Sequence, residues 1–135
     1  MKSPQQYIRT SIITNLKNLG YAVYDRDRKV NDYPYIVIGE QTMMDQGSQD
    51  RHRAIATINI HVVNGWSTDF GDRSTADAMV DAITRLVTKP EPVFTITGFL
   101  ITGSTVDNVM SMTEQTQTQT IHTTIVRLKF ELFEI

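Results

Sequence analysis

The sequence predicts an α+β protein with a mostly antiparallel sheet of four to five strands and two helices packed on one face. Two segments carry apolar residues at helical spacing, and the other apolar segments alternate or are rich in β-branched residues. The predicted order is helix, two strands, a strand, helix, two strands, for which two helices on one sheet face is the economical packing. At 135 residues the chain is one domain, 1–135.

The first predicted helix has clear ends. Ser3 is its expected N-cap, Pro4 fits the first helical position, and Gln6 completes a capping-box spacing. Gly20 follows where a left-handed C-cap residue is favoured. Its apolar face is formed by Ile8, Ile12, Leu16 and Leu19.

Two short strands and a longer one are predicted next. Residues 21–24 form the first strand, and after a charged loop at 25–32 the second runs over 34–40, with Pro34 at its start. The polar segment 41–53 ends this strand, and a half-buried strand follows over 54–64. Its more apolar face holds Ala54, Ala56, Ile58, Ile60 and Val62.

A second helix follows a loop at 65–73. Ser74 is its expected cap, with Asp77 three residues later, and Pro90 and Pro92 must end it. Its apolar stripe is formed by Met79, Ala82, Ile83 and Leu86.

The remainder of the chain is predicted to be β. A strand over 94–105 has Gly98 as a bulge or bend, and a long alternating strand covers 121–133. We expect this last strand to leave one sheet edge without an internal partner, so that its charged residues either guard that edge or lie on the open face. The polar segments 41–53 and 106–119 are predicted to be long connections, either mobile or ordered by a neighbouring subunit.

Composition limits the function classes. The net charge is −2, from 13 Lys and Arg and 15 Asp and Glu, which is too balanced for long-range attraction to nucleic acid or an anionic membrane. The absence of cysteine excludes disulfides and thiolate chemistry. No apolar stretch reaches bilayer length, and the first residues lack the features of a signal peptide, so we expect a protein without a membrane partner that is assembled in the cytosol.

The candidates for chemistry are few. Three histidines, His52, His61 and His122, could contribute to a metal site, but no third ligand is indicated, so structural histidines are favoured. The acidic pairs at 25/27 and 69/72 lie in turn-rich loops, where aspartates usually bond their own backbone. No phosphate loop, nucleophile elbow or zinc motif is present. We therefore expect no catalytic, cofactor-binding or metal-binding residues, no cofactor and no enzyme activity.

Several segments together resemble a known family. Taken in order, they are similar to the tail-completion (tail-terminator) family of tailed bacteriophages and prophages. The segments are Val23-Tyr24-Asp25, the strand from Pro34 to Glu40, the strand ending in Trp66-Ser67, the helix stripe Met79–Leu86 and the closing strand Ile121–Phe133. The chain differs from that pattern by an insertion before Trp66 and by the polar Thr-Gln stretch at 116–120.

The resemblance implies a virion structural protein of the tail or neck, assembled in the host cytoplasm. It implies a six-fold ring that ends the tail tube, joins the head-completion (connector) protein and lets DNA pass through its lumen without specific binding. The tail-tube protein would be the second partner. By analogy, we expect subunit contacts at Tyr35, Glu40, Trp66 and Phe70, and a head-facing or tube-facing loop containing Thr116, Thr118 and Thr120.

The residues themselves leave other interpretations open. Trp66 and Phe70 either pack under the sheet edge or anchor a partner. The competing functions are another head–tail connector or neck or tail-hub subunit, a small-molecule-binding or enzymatic domain, and a cellular module that binds proteins at an exposed sheet edge.

Overall fold

The computed structural model describes residues 4–25, 34–45, 53–67, 74–88, 94–115 and 119–135, with the backbone alone at 66, 67, 74 and 75. In chain order the elements are α1 (Gln5–Asn18), β1 (Val23–Tyr24), β2 (Tyr35–Asp45), β3 (Arg53–Ser67), α2 (Ser74–Thr88), β4 (Phe99–Gln115) and β5 (Gln119–Glu134).

The strands form one sheet in the order β1-β2-β3-β5-β4. β1 pairs with β2 in parallel, and every other pair is antiparallel. The predicted α+β class with a mostly antiparallel sheet is confirmed.

Helix α1 begins and ends close to the predicted residues. The Pro4 carbonyl accepts a hydrogen bond from the Ile8 N–H at 2.9 Å, and Gly20 has the positive φ of 90° that a C-terminal glycine provides. The predicted cap Ser3 lies outside the described residues. Leu19 is 58% exposed, so its place in the apolar face was a wrong prediction, because the chain has already left the helix there.

Both helices pack on the same side of the sheet. Helix α2 starts at Ser74, within one residue of the predicted start, and of its predicted stripe Ala82 is only partly buried. The helix residues of the core are Ile8, Ile12 and Leu16 from α1 and Ala76, Met79, Ile83, Leu86 and Val87 from α2.

The sheet side of this core comes from the even-numbered positions of the two central strands. Predicted face residues Ala56, Ile58, Ile60 and Val62 of β3 are buried there. On β5 the same layer holds Val126, Leu128, Phe130 and Leu132. The Phe130 ring stacks on Phe94 with centroids 5.6 Å apart, which joins the segment before β4 to the centre of the core.

Parts of three segments predicted as connections belong to strands. β2 continues through Asp45, β3 continues through Ser67, and β4 runs on to Gln115 instead of ending at 105. The polar composition was misleading because ladder hydrogen bonds use the backbone, so a strand with exposed side chains needs no apolar pattern. At the other end, β4 begins only at Phe99, since Gly98 with φ 84° makes a turn in which the Phe99 N–H donates to the Ile96 carbonyl.

The position predicted for the last strand was also wrong. β5 lies inside the sheet, paired with β3 on one side and β4 on the other, so β4 is the long outer strand. The charged residues Arg127, Lys129 and Glu131 lie on the open face, which was one of the two possibilities left by the sequence. Within the described residues, neither helix is both long and apolar enough to cross a membrane.

Phe130→Ala tests the core. We expect it to lower the free energy of unfolding by about 3–5 kcal/mol, because it removes a fully buried ring and its stack with Phe94. Chemical denaturation measures the loss. The control Leu19→Ala, at an exposed position, should stay within about 0.5 kcal/mol of the parent; equal losses in both variants would contradict this account of the core.

Candidate interaction surface

At one end the sheet narrows from four antiparallel strands to three. Here β3, β5 and β4 remain paired out to Ser67, Gln119 and Gln115, whereas β2 pairs with β3 only as far as Val63. We call this three-stranded extension, residues 61–67, 109–115 and 119–126, the arm.

The polarity of the sheet faces reverses along β5. In the part under the helices, the even positions are apolar and the odd positions are charged. In the arm, the even positions become polar, with Thr120, His122 and Thr124, and the odd positions become apolar, with Ile121 and Ile125. A strand that buries the same face along its whole length keeps its apolar residues at positions of one parity. Because the parity changes along β5, the apolar side of the arm lies on the face opposite the helices.

Neighbouring strands extend this apolar side. Val63 lies beside Thr123, Met110 beside Ile125 and Met112 beside Thr123. Met110 and Met112 are 50% and 51% exposed. We call the set Val63, Met110, Met112, Ile121 and Ile125 the apolar band. No described element of the chain packs over it.

A trough of about 710 Å³ lies between this band and β2. Its apolar floor continues into β2, and the carboxylates of Asp25 and Glu40 are at its β2 side. Its lining residues are Asp25, Tyr35, Val37, Ile38, Gly39, Glu40, His61, Val63, Met112, Thr123 and Ile125.

The trough has one polar cluster, at a bulge of β2. The register of β2 against β3 shifts between Ile38 and Gln41, which places Gly39 and Glu40 in the bulge. The Glu40 carboxylate lies 3.7 Å from His61 Nε2 and accepts a hydrogen bond from the Asn59 amide at 3.3 Å. A Cβ on Gly39 would lie 2.5 Å from His61 Nε2, so glycine is what allows the imidazole to pack there.

The pKa of Glu40 is lowered from its ordinary value. The largest cause is a hydrogen bond from its own backbone N–H, followed by the Asn59 amide, and proximity to His61 adds to the effect. The carboxylate is therefore ionised at neutral pH, and because it is exposed its stabilising effect is small.

The helix-side face of the arm is a hydrogen-bonded polar layer. His122 Nδ1 lies 3.0 Å from the Thr113 hydroxyl and Nε2 lies 3.4 Å from the Thr124 hydroxyl, and Ser111 bonds Thr124 at 3.3 Å. His61 is on the other face, so these two histidines cannot share a ligand, and His52 lies outside the described residues. Among the described residues, no three histidine, aspartate or glutamate side chains are grouped so that they could hold a metal ion.

Of the residues predicted for subunit contacts, Tyr35 and Glu40 both line the trough. Tyr35 is buried beside Tyr24, with ring centroids 5.9 Å apart, and Glu40 is exposed at the rim of the trough. Trp66 is in strand β3 opposite Thr120, not in a loop, and its side chain is not described. Thr120 is buried in β5, so its placement in a loop was wrong. Phe70, Thr116 and Thr118 lie outside the described residues.

The apolar band was missed from the sequence, although it has a sequence pattern. Within β5 the apolar residues shift from odd positions, Ile121 and Ile125, to even positions from Val126 onward. That change of phase indicates a strand whose two halves bury opposite faces. Met110 and Met112 show the same period of two once 106–115 is recognised as a strand.

The fold and this surface define a small α+β protein with an uncovered apolar sheet face. Its fold is similar to that of a chain in a solved structure described as the virion of a native gene transfer agent particle. The two agree with a TM-score of 0.70 at 16% sequence identity, over 97% of this chain and 99% of that chain. No protein-family model matches the sequence. No curated protein matches it either.

Gly39→Ala tests the packing at the bulge. We expect a loss of about 1–3 kcal/mol in the free energy of unfolding, because the new methyl group overlaps the His61 ring and also lies 3.0 Å from the Asn59 carbonyl oxygen. Thermal unfolding measures stability, and the NMR shifts of His61 report displacement of the ring. His61→Ala in the same chain should recover part of the loss, and strictly additive effects would contradict the proposed overlap.

Proposed function

We propose that this protein is a virion structural subunit of the tail-completion type and not an enzyme. It forms a ring at the end of a tail tube and joins it to the neck proteins. The observation that carries the proposal is the apolar band, which a lone subunit leaves in water. The fold similarity to a chain of a virion particle supports the same conclusion.

Burial of the band supplies a driving force for assembly. Met110 and Met112 are each about half exposed, and the half-buried Val63, Ile121 and Ile125 lie among them. Contiguous apolar surface of this kind is typical of protein contacts, and methionine is enriched in interface cores. At roughly 25 cal/mol per Å² of apolar surface removed from water, a contact over the band stabilises the assembled state appreciably.

The charges of the molecule are consistent with a ring around DNA. A net charge of −2 gives the subunit no general attraction for a phosphate backbone, so a lumen lined by such subunits lets DNA pass. Two polar groups of the trough, Glu40 and His61, lie against each other and against Asn59. This arrangement favours a structural role for the face over a catalytic one.

The position in the virion rests on the sequence resemblance. The solved neighbour is described as a virion particle, without its location in that particle. The tail-completion pattern of β2, β3, α2 and β5 is therefore the basis for the finer parts of the proposal. These parts are the tail-end position, the six-fold ring, the contacts with tail-tube and head-completion proteins, and assembly in the host cytoplasm.

The double variant Met110→Ser/Met112→Ser tests the band as an assembly contact. Light scattering over a concentration series should show the parent approaching about six chains. The double variant should need at least a ten-fold higher concentration, because about 1.4 kcal/mol of contact free energy corresponds to that factor. Circular dichroism checks that it remains folded.

Leu100→Ser is the matched control, since Leu100 is also exposed on the open side of β4 but lies outside the band. It should assemble as the parent does. Parent-like assembly of the double variant would exclude the band as a contact. A parent that stays monomeric, and that neither binds nor caps tail tubes when tail-tube protein is added, would overturn the proposed function.

A further inference from the structure

The outer edge of β4 has two parts. Near the helices, its register against β5 shifts at Ile101/Gly103 and again at Val106/Asn108. From Asn108 to Gln115 it pairs with β5 without a further shift. No described strand lies on the outer side of this regular stretch. The stretch therefore presents eight residues of straight strand edge to solvent.

This stretch lacks the features that normally prevent strand edges from pairing. Such edges usually carry lysines, prolines or bulges. Between Asn108 and Gln115 there is no lysine or proline, and Glu114 is the one charged residue. Val109, Met110 and Met112 are about half exposed on its two faces. The protective irregularities lie only in the part of β4 next to the helices.

The opposite side of the sheet offers a second edge. β1 pairs only with Ile36 and Val37, so the stretch of β2 from Gly39 to Met43 has no described strand on its outer side. Gln41, Thr42 and Met43 are uncharged, and Met43 is 38% exposed. Because Gln41–Met43 carries no charge, this part of the edge brings no like charge into opposition with Glu114 when the two edges pair.

We infer that Asn108–Gln115 of one copy pairs with Gly39–Met43 of the next copy, which extends the sheet from subunit to subunit. This inference rests on the proposed ring and adds to it a contact at the sheet edges, next to the apolar band. Neighbouring strands from β2 to β4 alternate in direction, so β4 of one copy and β2 of the next run antiparallel in a continuous sheet. Because the two edges differ, the contact is head-to-tail, and it gives a ring where the rotation between successive copies closes.

The two edges lie at different levels along the sheet. Through the pairing ladders, Asn108–Gln115 is level with 59–66 of β3, whereas Met43 is level with Ala56. Pairing them displaces each copy along the strand direction relative to the last. In a closed ring, a stagger of this kind requires the strands to be tilted relative to the ring axis.

Cross-linking tests the contact, because the chain has no cysteine of its own. Met43 and Val109 lie on the same sheet face, opposite Ala56 and Val126. A short bismaleimide added to the Met43→Cys/Val109→Cys variant should give a ladder of covalent multimers up to the ring size. Each single variant should remain monomeric on a denaturing gel, and an equal mixture of both should stop at dimers. Light scattering on the same samples reports assembly before cross-linking.

Other results would overturn the inference. Dimers from Val109→Cys alone would indicate that two β4 edges pair with each other. Assembly without a ladder would exclude the β4–β2 contact and leave the proposed ring standing. An equal ladder from the control pair Met43→Cys/Leu100→Cys would mean that collisions produce the links. A protein that stays monomeric with and without tail-tube protein would remove both proposals.

Discussion

The continuous pairing of β3 with β5 is the interaction on which the rest of the structure depends. It runs from Arg53 opposite Phe133 to Ser67 opposite Gln119 without a shift in register. At about 3.3 Å per residue this ladder is far longer than either helix at about 1.5 Å per residue. Helices of 14 and 15 residues therefore cover only part of the sheet face. Beyond the helices the two faces of the arm differ in composition, although the helix-side residues Thr120, His122 and Thr124 are buried.

The two faces of the arm are built from different kinds of residue. On the helix side, His122 and Thr124 bond one another and neighbouring hydroxyls, so their burial leaves polar atoms satisfied. On the open side, Ile121 and Ile125 are apolar, and the methionines of β4 lie beside this part of β5. Polar residues on both faces would have served a soluble monomer. The apolar choice on one face is therefore best explained by a contact that this face makes.

Most of the fold was predictable from the sequence, and the interaction surface was not. The helical spacing of Ile8, Ile12 and Leu16 and the alternation of β3 identified the layers correctly, because burial against a single core imposes a regular period. The prediction was wrong where no core lies beneath the chain, as in β4 beyond Val106, since backbone pairing there leaves no apolar pattern to detect. The order of the strands in the sheet was not predicted from the sequence either, because β5 pairs with β3, which is distant in the chain.

Weak individual contacts suit an assembly that must close correctly. The exposed apolar residues of the arm are mainly methionines, whose flexible side chains adapt to a partner surface without requiring an exact fit. A single contact of this kind must offset the translational and rotational entropy lost when two copies associate. The last contact of a ring forms within one molecule, where the effective concentration is high and no further association entropy is lost. In the ring proposed above, closure would therefore stabilise the closed form more than any open intermediate.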